Sequence, residues 1–466
     1  MAEAVAAFEV VETAAQGAAV GAVAVSQPTV PIVVRFHKLT SLSPSLGLSS
    51  HSLTYVKGRA YIFGGDGVGE SDNSMQILTL PSDLSIGDVD YQQVKAVGKP
   101  NRPLAAYSDQ TTQGETVDAS RPTPIARSAH AATAIDSNIF IFGGRAPSKP
   151  GNEKEAALID EQGSIHVYST LTNDWTLMIP RKSSTSTGFP EPRVHASMTS
   201  TVHPAPQEAL QASTEAHGTL ILHGGYTREG TRLRDTWTFD VSSRMWAKWP
   251  DPPHPAGDGV AYSGQIYCTE SRLWHVGSSP GTVAYLDISR DVADDFSGKT
   301  ELGIAPKTGQ WEVLSFANTI NNSTEKKPGS TTGAGNLPIP REGAGLLPVT
   351  SGAGRRYLLY FMGEGPSESD EPDLWTFQTA AEKFSPAVVK DKIRATFGAN
   401  TGEHAWARCD VVQASKQDGE IERPSGGLAR FAADAWTDLG GGAVVLWGGK
   451  LEGGINQNEG WVLTVD

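Results

Sequence analysis

The chain has 466 residues, among them 50 glycines, 29 prolines and 11 tryptophans, and a formal net charge of −14. This composition is typical of many short strands joined by turns, and no stretch reaches the roughly 18 consecutive apolar residues that a membrane-spanning helix requires. The acidic charge argues against a nucleic-acid or anionic-membrane partner. Because Cys268 and Cys409 are the only cysteines, a disulfide scaffold is disfavoured as well, and we expect reduced thiols in a cytoplasmic protein.

The first residues of the chain, 1–31, are rich in alanine and valine. They carry Glu3, Glu9 and Glu12 and lack the basic start and the compact apolar core of a signal peptide. We therefore expect a disordered leader that is not part of the fold.

One pattern returns six times after this leader: a strand of small residues, a turn, an apolar strand that ends in Gly-Gly, a variable loop, an aromatic strand and a strand with Trp or Tyr. The second copy is the clearest, with residues 127–130, 139–144, 166–168 and Trp175. Such self-similarity predicts one four-stranded blade of a β-propeller per copy. The blades are predicted at about residues 48–97, 124–180, 190–250, 254–316, 338–412 and 425–466.

The paired glycines and the repeated aromatic residues have a structural explanation. Gly-Gly at a strand end permits positive φ and close packing where blades converge, and Trp or Tyr fills the wedge between neighbouring sheets. The fourth and fifth copies depart from this rule, with Gly277-Ser278 and Gly363-Glu364 in place of Gly-Gly. Their boundaries are the least defined of the six.

The two ends of the chain predict how the ring closes. The sixth copy ends without its outermost strand, whereas an unassigned strand at residues 32–39 precedes the first copy. This strand is predicted to complete blade six, which removes an open sheet edge and makes residues 32–466 a single all-β, six-bladed propeller.

The pattern resembles the kelch repeat, and the resemblance covers nearly everything from Val33 to Asp466. Segments such as residues 356–361 are also similar to the cytoplasmic kelch proteins of filamentous fungi. Insertions rich in Ser, Thr, Gly and Pro separate the copies and are predicted to be surface loops. Some of these loops should build walls around one mouth of the ring.

The resemblance implies a ligand site at that mouth, because in kelch domains the residues that open the innermost strand of each blade face it. Four guanidiniums on one rim would attract a carboxylate, a phosphate or an acidic peptide. The alternative is that these arginines bond carbonyls of the adjacent blade and hold the ring together. His130 and His195, just inside the same strand, are predicted to be packing residues. Carried over position by position, the predicted rim residues are Arg127, Arg193, Arg341 and Arg430, with His51 and Asp258 in the matching places of blades one and four.

No set of catalytic residues emerges from the sequence. Copper radical oxidases on this fold crosslink a Cys to a Tyr, but Tyr267 and Cys268 are neighbours in a strand and point to opposite faces. The Glu-x-x-x-Asp-x-x-x-His run that holds iron in specifier proteins is absent as well. We therefore expect no cofactor and no metal. The acidic loop at Gly363-Glu364-Gly365 could bind a cation, but solvated charge is the favoured explanation.

The leading interpretation is a soluble binding module that presents its channel mouth to a protein or peptide partner, or to an anionic small molecule. The alternative is a cofactor-independent enzyme, a cyclase or isomerase of a fungal secondary-metabolite pathway, since preorganised donors in a shaped cavity can accelerate such reactions. A binding module should have a broad polar mouth, whereas the enzyme should have a deep apolar pocket of several hundred cubic ångströms.

Overall fold

The structure is a computed structural model. The described residues are 31–41, 46–67, 72–81, 84, 88–99, 122–147, 156–181, 188–204, 217–253, 263–289, 293–294, 300–301, 304–314, 316, 337–352, 354–365, 372–380, 386–396, 401–412, 423–425, 427–437, 442–451 and 454–465. All but the last residue of the predicted leader lies outside this set.

Six antiparallel sheets surround a central channel, and each sheet is one blade. The first strand of every blade contacts the first strands of both neighbouring blades, so the six innermost strands form a closed ring. The predicted fold class, an all-β propeller with six four-stranded blades, is confirmed.

The strands are as follows in chain order. Before and within blade one they are β1 (Val33–Ser41), β2 (Leu48–Ser49), β3 (Ser52–Val56), β4 (Arg59–Phe63), β5 (Asp66–Gly67), β6 (Met75–Thr79) and β7 (Asp88–Val94). Blade two has β8 (Ala131–Ile135), β9 (Asn138–Phe142), β10 (Ile165–Ser169) and β11 (Asp174–Met178), and blade three has β12 (Ser197–Thr201), β13 (Thr219–His223), β14 (Thr236–Asp240) and β15 (Met245–Trp249). Blade four has β16 (Gln265–Cys268), β17 (Arg272–Val276), β18 (Val283–Ser289), β19 (Ala293–Asp294), β20 (Thr300–Glu301), β21 (Ala305–Pro306) and β22 (Glu312–Leu314). Blade five has β23 (Gly345–Thr350), β24 (Arg356–Phe361), β25 (Leu374–Gln378), β26 (Trp406–Arg408) and β27 (Asp410–Val412), and blade six has β28 (Ala432–Ala435), β29 (Ala443–Trp447) and β30 (Gly460–Val465).

The N-terminal strand closes the ring, as predicted. Strand β1 pairs antiparallel with β30 from Val34 opposite Val465 to Leu39 opposite Gly460. It also pairs in parallel with β27 of blade five and with β7 of blade one. One strand therefore ties blades five, six and one together and leaves β30 without an open edge.

Indole rings fill the wedges between blades. Trp175 of β11 is fully buried, and its ring lies 5.1 Å from that of Phe63 in blade one. In blades three, four and five the outer-strand indole donates a hydrogen bond to a carbonyl of the preceding blade. These donors are Trp246 Nε1 to Gly163 O at 2.8 Å, Trp311 Nε1 to Pro250 O at 2.9 Å and Trp406 Nε1 to Gly281 O at 3.0 Å. Each of these three rings thus contributes apolar area together with one directed bond across a blade junction.

In four blades the second glycine of the pair donates its backbone N–H to a carbonyl of the next blade. We call this hydrogen bond the inter-blade glycine bond. In blade one, the Gly65 amide donates to the Arg127 carbonyl of blade two at 2.9 Å. A Cβ on the preceding residue, Gly64, would lie 2.1 Å from that carbonyl oxygen, so no larger residue fits there without movement. The equivalent bonds are Gly144 N to Arg193 O, Gly363 N to Leu428 O and Gly449 N to Leu48 O.

Blade five fills the double-glycine place differently from the sequence assignment. Counted from the end of β24, the two positions are Met362 and Gly363, with φ of 53° and 93°. Glu364 is therefore the residue after the pair, equivalent to Asp66 after Gly64-Gly65 in blade one. The fifth copy keeps the backbone conformation and loses only the first glycine.

Among the described residues there is one helix, α1 (Pro386–Thr396), between β25 and β26. It carries the basic residues Lys390, Lys392 and Arg394. Its Asp391 forms an ion pair with Arg355, at the end of the β23–β24 turn. Within the described ranges, no helix is long and apolar enough to cross a membrane.

The inter-blade glycine bond predicts unequal effects for two alanine substitutions in blade one. Gly58 and Gly64 both have positive φ, of 78° and 62°, but a Cβ on Gly58 would meet nothing within 4 Å. We expect Gly58→Ala to lower the free energy of unfolding by about 1–2 kcal/mol, the cost of the left-handed backbone alone. Gly64→Ala should cost about 3 kcal/mol or more, because the methyl group also displaces the Arg127 carbonyl. Urea unfolding followed by tryptophan fluorescence measures both, and equal losses would contradict the role given to the close carbonyl contact.

Candidate functional site

The innermost strands begin at one end of the channel, which we call the mouth. A cavity of about 270 Å³ opens there, the mouth cavity, with walls contributed by all six innermost strands. A second cavity of about 590 Å³ lies at the opposite end of the channel, beneath blades three to six. Polar side chains in the wall of the mouth cavity include Ser50, His51, His195, Glu342, Glu364 and Arg430.

Three of the predicted rim arginines are buried within their own blades. Arg127 and Arg193 have no exposed side-chain surface, and each forms a bidentate ion pair with an acid just before the third strand of its blade. The shortest distances are 2.7 Å from Arg127 Nη2 to Glu161 Oε1 and 2.7 Å from Arg193 Nη1 to Asp235 Oδ1. Arg341 pairs with Asp373 through one hydrogen bond, from Nη2 to Oδ2 at 2.6 Å.

Backbone carbonyls occupy further donors of these guanidiniums. Arg127 Nη1 donates to Gly143 O and Arg193 Nη1 donates to Gly224 O, both at 3.0 Å. Each acceptor is the first glycine of the blade's own pair. Arg127 and Arg193 therefore fasten the start of the innermost strand to the loop between the second and third strands.

The acids in these pairs stay ionised. Burial alone would raise the pKa of Glu161, but hydrogen bonds from His166 and Arg127 outweigh it and hold the pKa at about 2. In the same way the Arg193 hydrogen bond overcomes burial and lowers the pKa of Asp235. Because a buried carboxylate without its cation is costly, these arginines are needed for the fold.

Arg430 occupies a different position in its blade. Arg127, Arg193 and Arg341 each stand four residues before their innermost strand, whereas Arg430 stands two residues before β28. Leu428 holds the place equivalent to the buried arginines, and the sequence alignment of blade six was thus off by two residues. The structure brings Arg430 and His51 to the mouth cavity but not the other three arginines, and Asp258 lies outside the described residues.

A run of left-handed residues lines the mouth at the position of Arg430. Ser50, Ala129, His195 and Arg430 each stand two residues before an innermost strand, with φ between 54° and 55°. Their backbones are linked across blades: Ser50 N donates to Arg430 O, Ala129 N to Ser50 O and His195 N to Ala129 O, at 2.7 to 2.9 Å. We call these four residues the mouth ring.

Two predictions about histidines come out differently. His130 is a packing residue as expected, since it is buried and its Nε2 lies 2.8 Å from Ser52 Oγ in the neighbouring blade. His195 was also assigned to packing, but it belongs to the mouth ring and lines the cavity. The left-handed φ of His195 distinguishes it from His130. This backbone conformation cannot be read from the sequence.

The mouth carries both signs of charge. Burial, Arg430 and Arg145 lower the pKa of His195 to about 4, so this imidazole is neutral near pH 7. Arg145 is paired with Asp66 of blade one at 2.8 Å. Burial and Glu364 raise the pKa of Glu342, although Arg430 opposes them.

Neither metal-binding nor thiol chemistry is apparent in the described part of the chain. Its residues contain no group of three or more His, Cys, Asp or Glu side chains placed to hold a metal ion. Cys268 and Cys409 are buried and not bonded to each other. Burial raises the pKa of the Cys409 thiol to about 12, so it is protonated and unreactive at neutral pH.

No protein-family model matches the chain. It is similar to Tip elongation aberrant protein 3 of Schizosaccharomyces pombe, with 26% identity over 151 residues that cover 31% of this chain and 13% of the relative. Kelch domain-containing protein 2 of Bos taurus is 23% identical over 33% of this chain and 27% of its own length. Host cell factor 2 of Homo sapiens is 28% identical over 29% of this chain and 13% of its own length. The matched part thus spans about a quarter or less of each relative. Among solved structures, that of YjhT covers 91% of this chain and 98% of its own, with 13% identity and a TM-score of 0.44.

The two kinds of arginine predict opposite outcomes in stability measurements. Arg193→Ala should lower the free energy of unfolding by about 3–5 kcal/mol, because it leaves Asp235 buried without its cation. Arg430→Ala, at the partly exposed mouth, should change it by less than about 1 kcal/mol. Urea unfolding of both variants tests this difference, and a loss in Arg430→Ala as large as in Arg193→Ala would contradict it.

The buried histidines predict a loss of stability in acid. Burial lowers the pKa of His51 to about 4, although the Trp447 carbonyl raises it in part. Burial lowers the pKa of His130 to about 3. Together with His195, these groups are neutral in the folded protein at a pH where the unfolded chain already binds protons. Their contribution to stability is therefore complete above about pH 6.5 and is lost as the pH falls through about 4.

Asp434 acts in the opposite direction, because burial raises its pKa to about 6. Its contribution is present below the ordinary carboxyl pKa and is lost as the pH rises through about 6. Glu342 acts with Asp434, and the buried His223 acts with the other histidines. Because the buried histidines outnumber these two acids, we expect the urea midpoint to fall between about pH 7 and pH 4. His130→Leu should make this dependence shallower whatever its effect at pH 7, and a slope equal to that of the wild type would count against the assignment.

Proposed function

We propose that this chain, a kelch-repeat β-propeller, binds a segment of a partner protein at its channel mouth. Kelch propellers are typically interaction modules, and a propeller offers a rigid ring of loops on one face for that purpose. The buried free thiols fit a reducing compartment such as the cytoplasm.

The observation that carries the proposal is a set of exposed isoleucines on the mouth face. Ile125 and Ile339, which are 51% and 43% exposed, stand two residues before the buried arginines of blades two and five. Ile455, 66% exposed, lies in the loop between β29 and β30 of blade six. A single exposed isoleucine needs no explanation, but three on the loops of one face supply apolar anchors around a polar cavity.

The polar groups of the mouth suit such a partner. The mouth ring places Arg430 and the neutral His195 beside the cavity, and the carboxylates of Glu342 and Glu364 lie in the same wall. Mixed charge around exposed apolar side chains favours a particular orientation of the bound segment and excludes partners of the wrong charge pattern.

The small-molecule hypotheses have less support. An anionic ligand would meet Arg430 together with two carboxylates, not four guanidiniums. The mouth cavity, at about 270 Å³, is smaller than the roughly 300–1,000 Å³ of most ligand sites and has charged groups in its wall. The cavity of about 590 Å³ at the opposite end lies within that range, but none of the predicted rim residues that the structure describes lines it. The cyclase or isomerase hypothesis and the anionic ligand therefore enter as outcomes of the experiment.

The proposal is tested by affinity purification from the source organism with quantitative mass spectrometry. The mouth variant is Ile125→Ser/Ile339→Ser/Ile455→Ser. The matched control changes three equally exposed apolar residues away from the mouth, Leu171→Ser/Val313→Ser/Val412→Ser. We expect a reproducible partner to be lost from the mouth variant and kept by the control. Its purified form should bind the mouth variant at least about a hundredfold more weakly in Kd, since each of the three buried isoleucines contributes about 1–2 kcal/mol.

Two results would overturn the proposal. Partners that bind the mouth variant and the wild type equally would place the interface elsewhere. A discrete small molecule that co-purifies with the wild type and is lost from Arg430→Ala, in the absence of a protein partner, would favour the ligand or enzyme hypothesis.

A further inference from the structure

Two carboxylates face each other at the mouth of blade five. Glu342 and Glu364 are directly opposite in an antiparallel bridge, with both backbone N–H to O distances at 2.8 Å. Residues opposed in this way project their side chains to the same side, and like charges there are unfavourable. Glu364 is exposed, Glu342 is partly buried, and both belong to the wall of the mouth cavity.

Neighbouring cations do not neutralise this pair. Neither carboxylate has an ion pair with a described residue. This includes Lys450, which holds the place of Glu364 in blade six. Arg430 is close enough to Glu342 to lower its pKa, yet burial and Glu364 outweigh it and the pKa is raised. In blades one and two the equivalent residues, Asp66 and Arg145, are paired at 2.8 Å. The charge after the double glycine is therefore balanced there and unbalanced in blade five.

A second observation in the same cavity also points to an absent partner group. Ser50 of the mouth ring is 6% exposed, lines the cavity, and its Oγ has no hydrogen-bond partner among the described residues. A buried hydroxyl without a partner costs free energy, and a rotation of the Ser50 side chain towards the cavity would let its Oγ accept from a donor bound there. Carboxylates and an unsatisfied hydroxyl are acceptors for the N–H groups of lysine or arginine.

We propose that Glu342 and Glu364 form a subsite that receives a lysine or arginine side chain of the partner segment, with Ser50 as a further acceptor. This inference rests on the proposed function and names the chemistry of the partner. The net charge of −14 would also steer a basic segment towards the protein. Arg430, on the blade-six side, would repel a second cation and so restrict the segment to one basic residue at this position.

The test uses a phage-displayed library of random heptapeptides, selected on the immobilised full chain. Selections are run on the wild type, on Glu342→Gln/Glu364→Gln, and on Asp90→Asn/Asp410→Asn, which removes the same charge from exposed acids of β7 and β27. We expect lysine and arginine to be enriched at one position on the wild type and on the control, and to return to the input frequency on the glutamine variant. A selected peptide should then bind the glutamine variant about tenfold more weakly by fluorescence anisotropy, with Kd on the control unchanged.

The alternative outcomes separate this inference from the proposed function. Basic peptides that bind the glutamine variant as tightly as the wild type would overturn the subsite. Peptides rich in Asp or Glu that are lost on Arg430→Ala would also overturn it while leaving mouth binding intact. Peptides that bind the wild type and the isoleucine mouth variant equally would instead contradict the proposed function itself.

Discussion

The fold depends on the carbonyl that one blade offers to the paired glycines of the blade before it. In two junctions the residue that supplies this carbonyl is also the buried arginine of its own blade. The Arg127 carbonyl accepts from Gly65 of blade one, while its guanidinium is held by Glu161 in blade two. One residue therefore fixes the innermost strand within its sheet and joins that sheet to the next. The glycines are required because the carbonyl approaches the backbone where any side chain would stand.

Because the buried arginines have both of these structural roles, they are not available to bind a ligand at the mouth. Arg127 donates to the Glu161 carboxylate and to the Ile125 and Gly143 carbonyls. It cannot turn towards a ligand without breaking this buried pair, and that cost exceeds what one ligand contact would return. The mouth is lined instead by residues two positions further along, where the left-handed backbone turns the chain into the innermost strand. The hydrogen bonds of the mouth ring involve only the backbone. The side chains at these positions, among them Ser50, His195 and Arg430, can therefore differ between blades.

The repeat predicted the blade count, the closing strand and the structural use of glycine and tryptophan, because each depends on an order of strands that recurs along the chain. The rim was predicted less well, since a shift of two residues between Arg341 and Arg430 leaves both looking like an arginine before a strand. The structure separates them by their distance from the strand, by burial and by φ. None of these is visible in the sequence, and neither is the φ of His195. Helix α1 was missed because its short amphipathic segment follows a strand in a copy that otherwise repeats. The acids that bind the buried arginines were also missed, because they stand in loops of variable length.

Blade five shows how a departure from the repeat can create a binding feature. Met362 adopts the left-handed conformation that glycine holds elsewhere, at φ 53°, which costs about 1–2 kcal/mol. The inter-blade glycine bond survives through Gly363, so the ring tolerates the change. The next residue, Glu364, is opposed by Glu342, and this second unfavourable feature adds nothing to the junction. A cation bound between the two carboxylates, as proposed, would relieve their repulsion, whereas the backbone cost at Met362 would be the same in the free and the bound state.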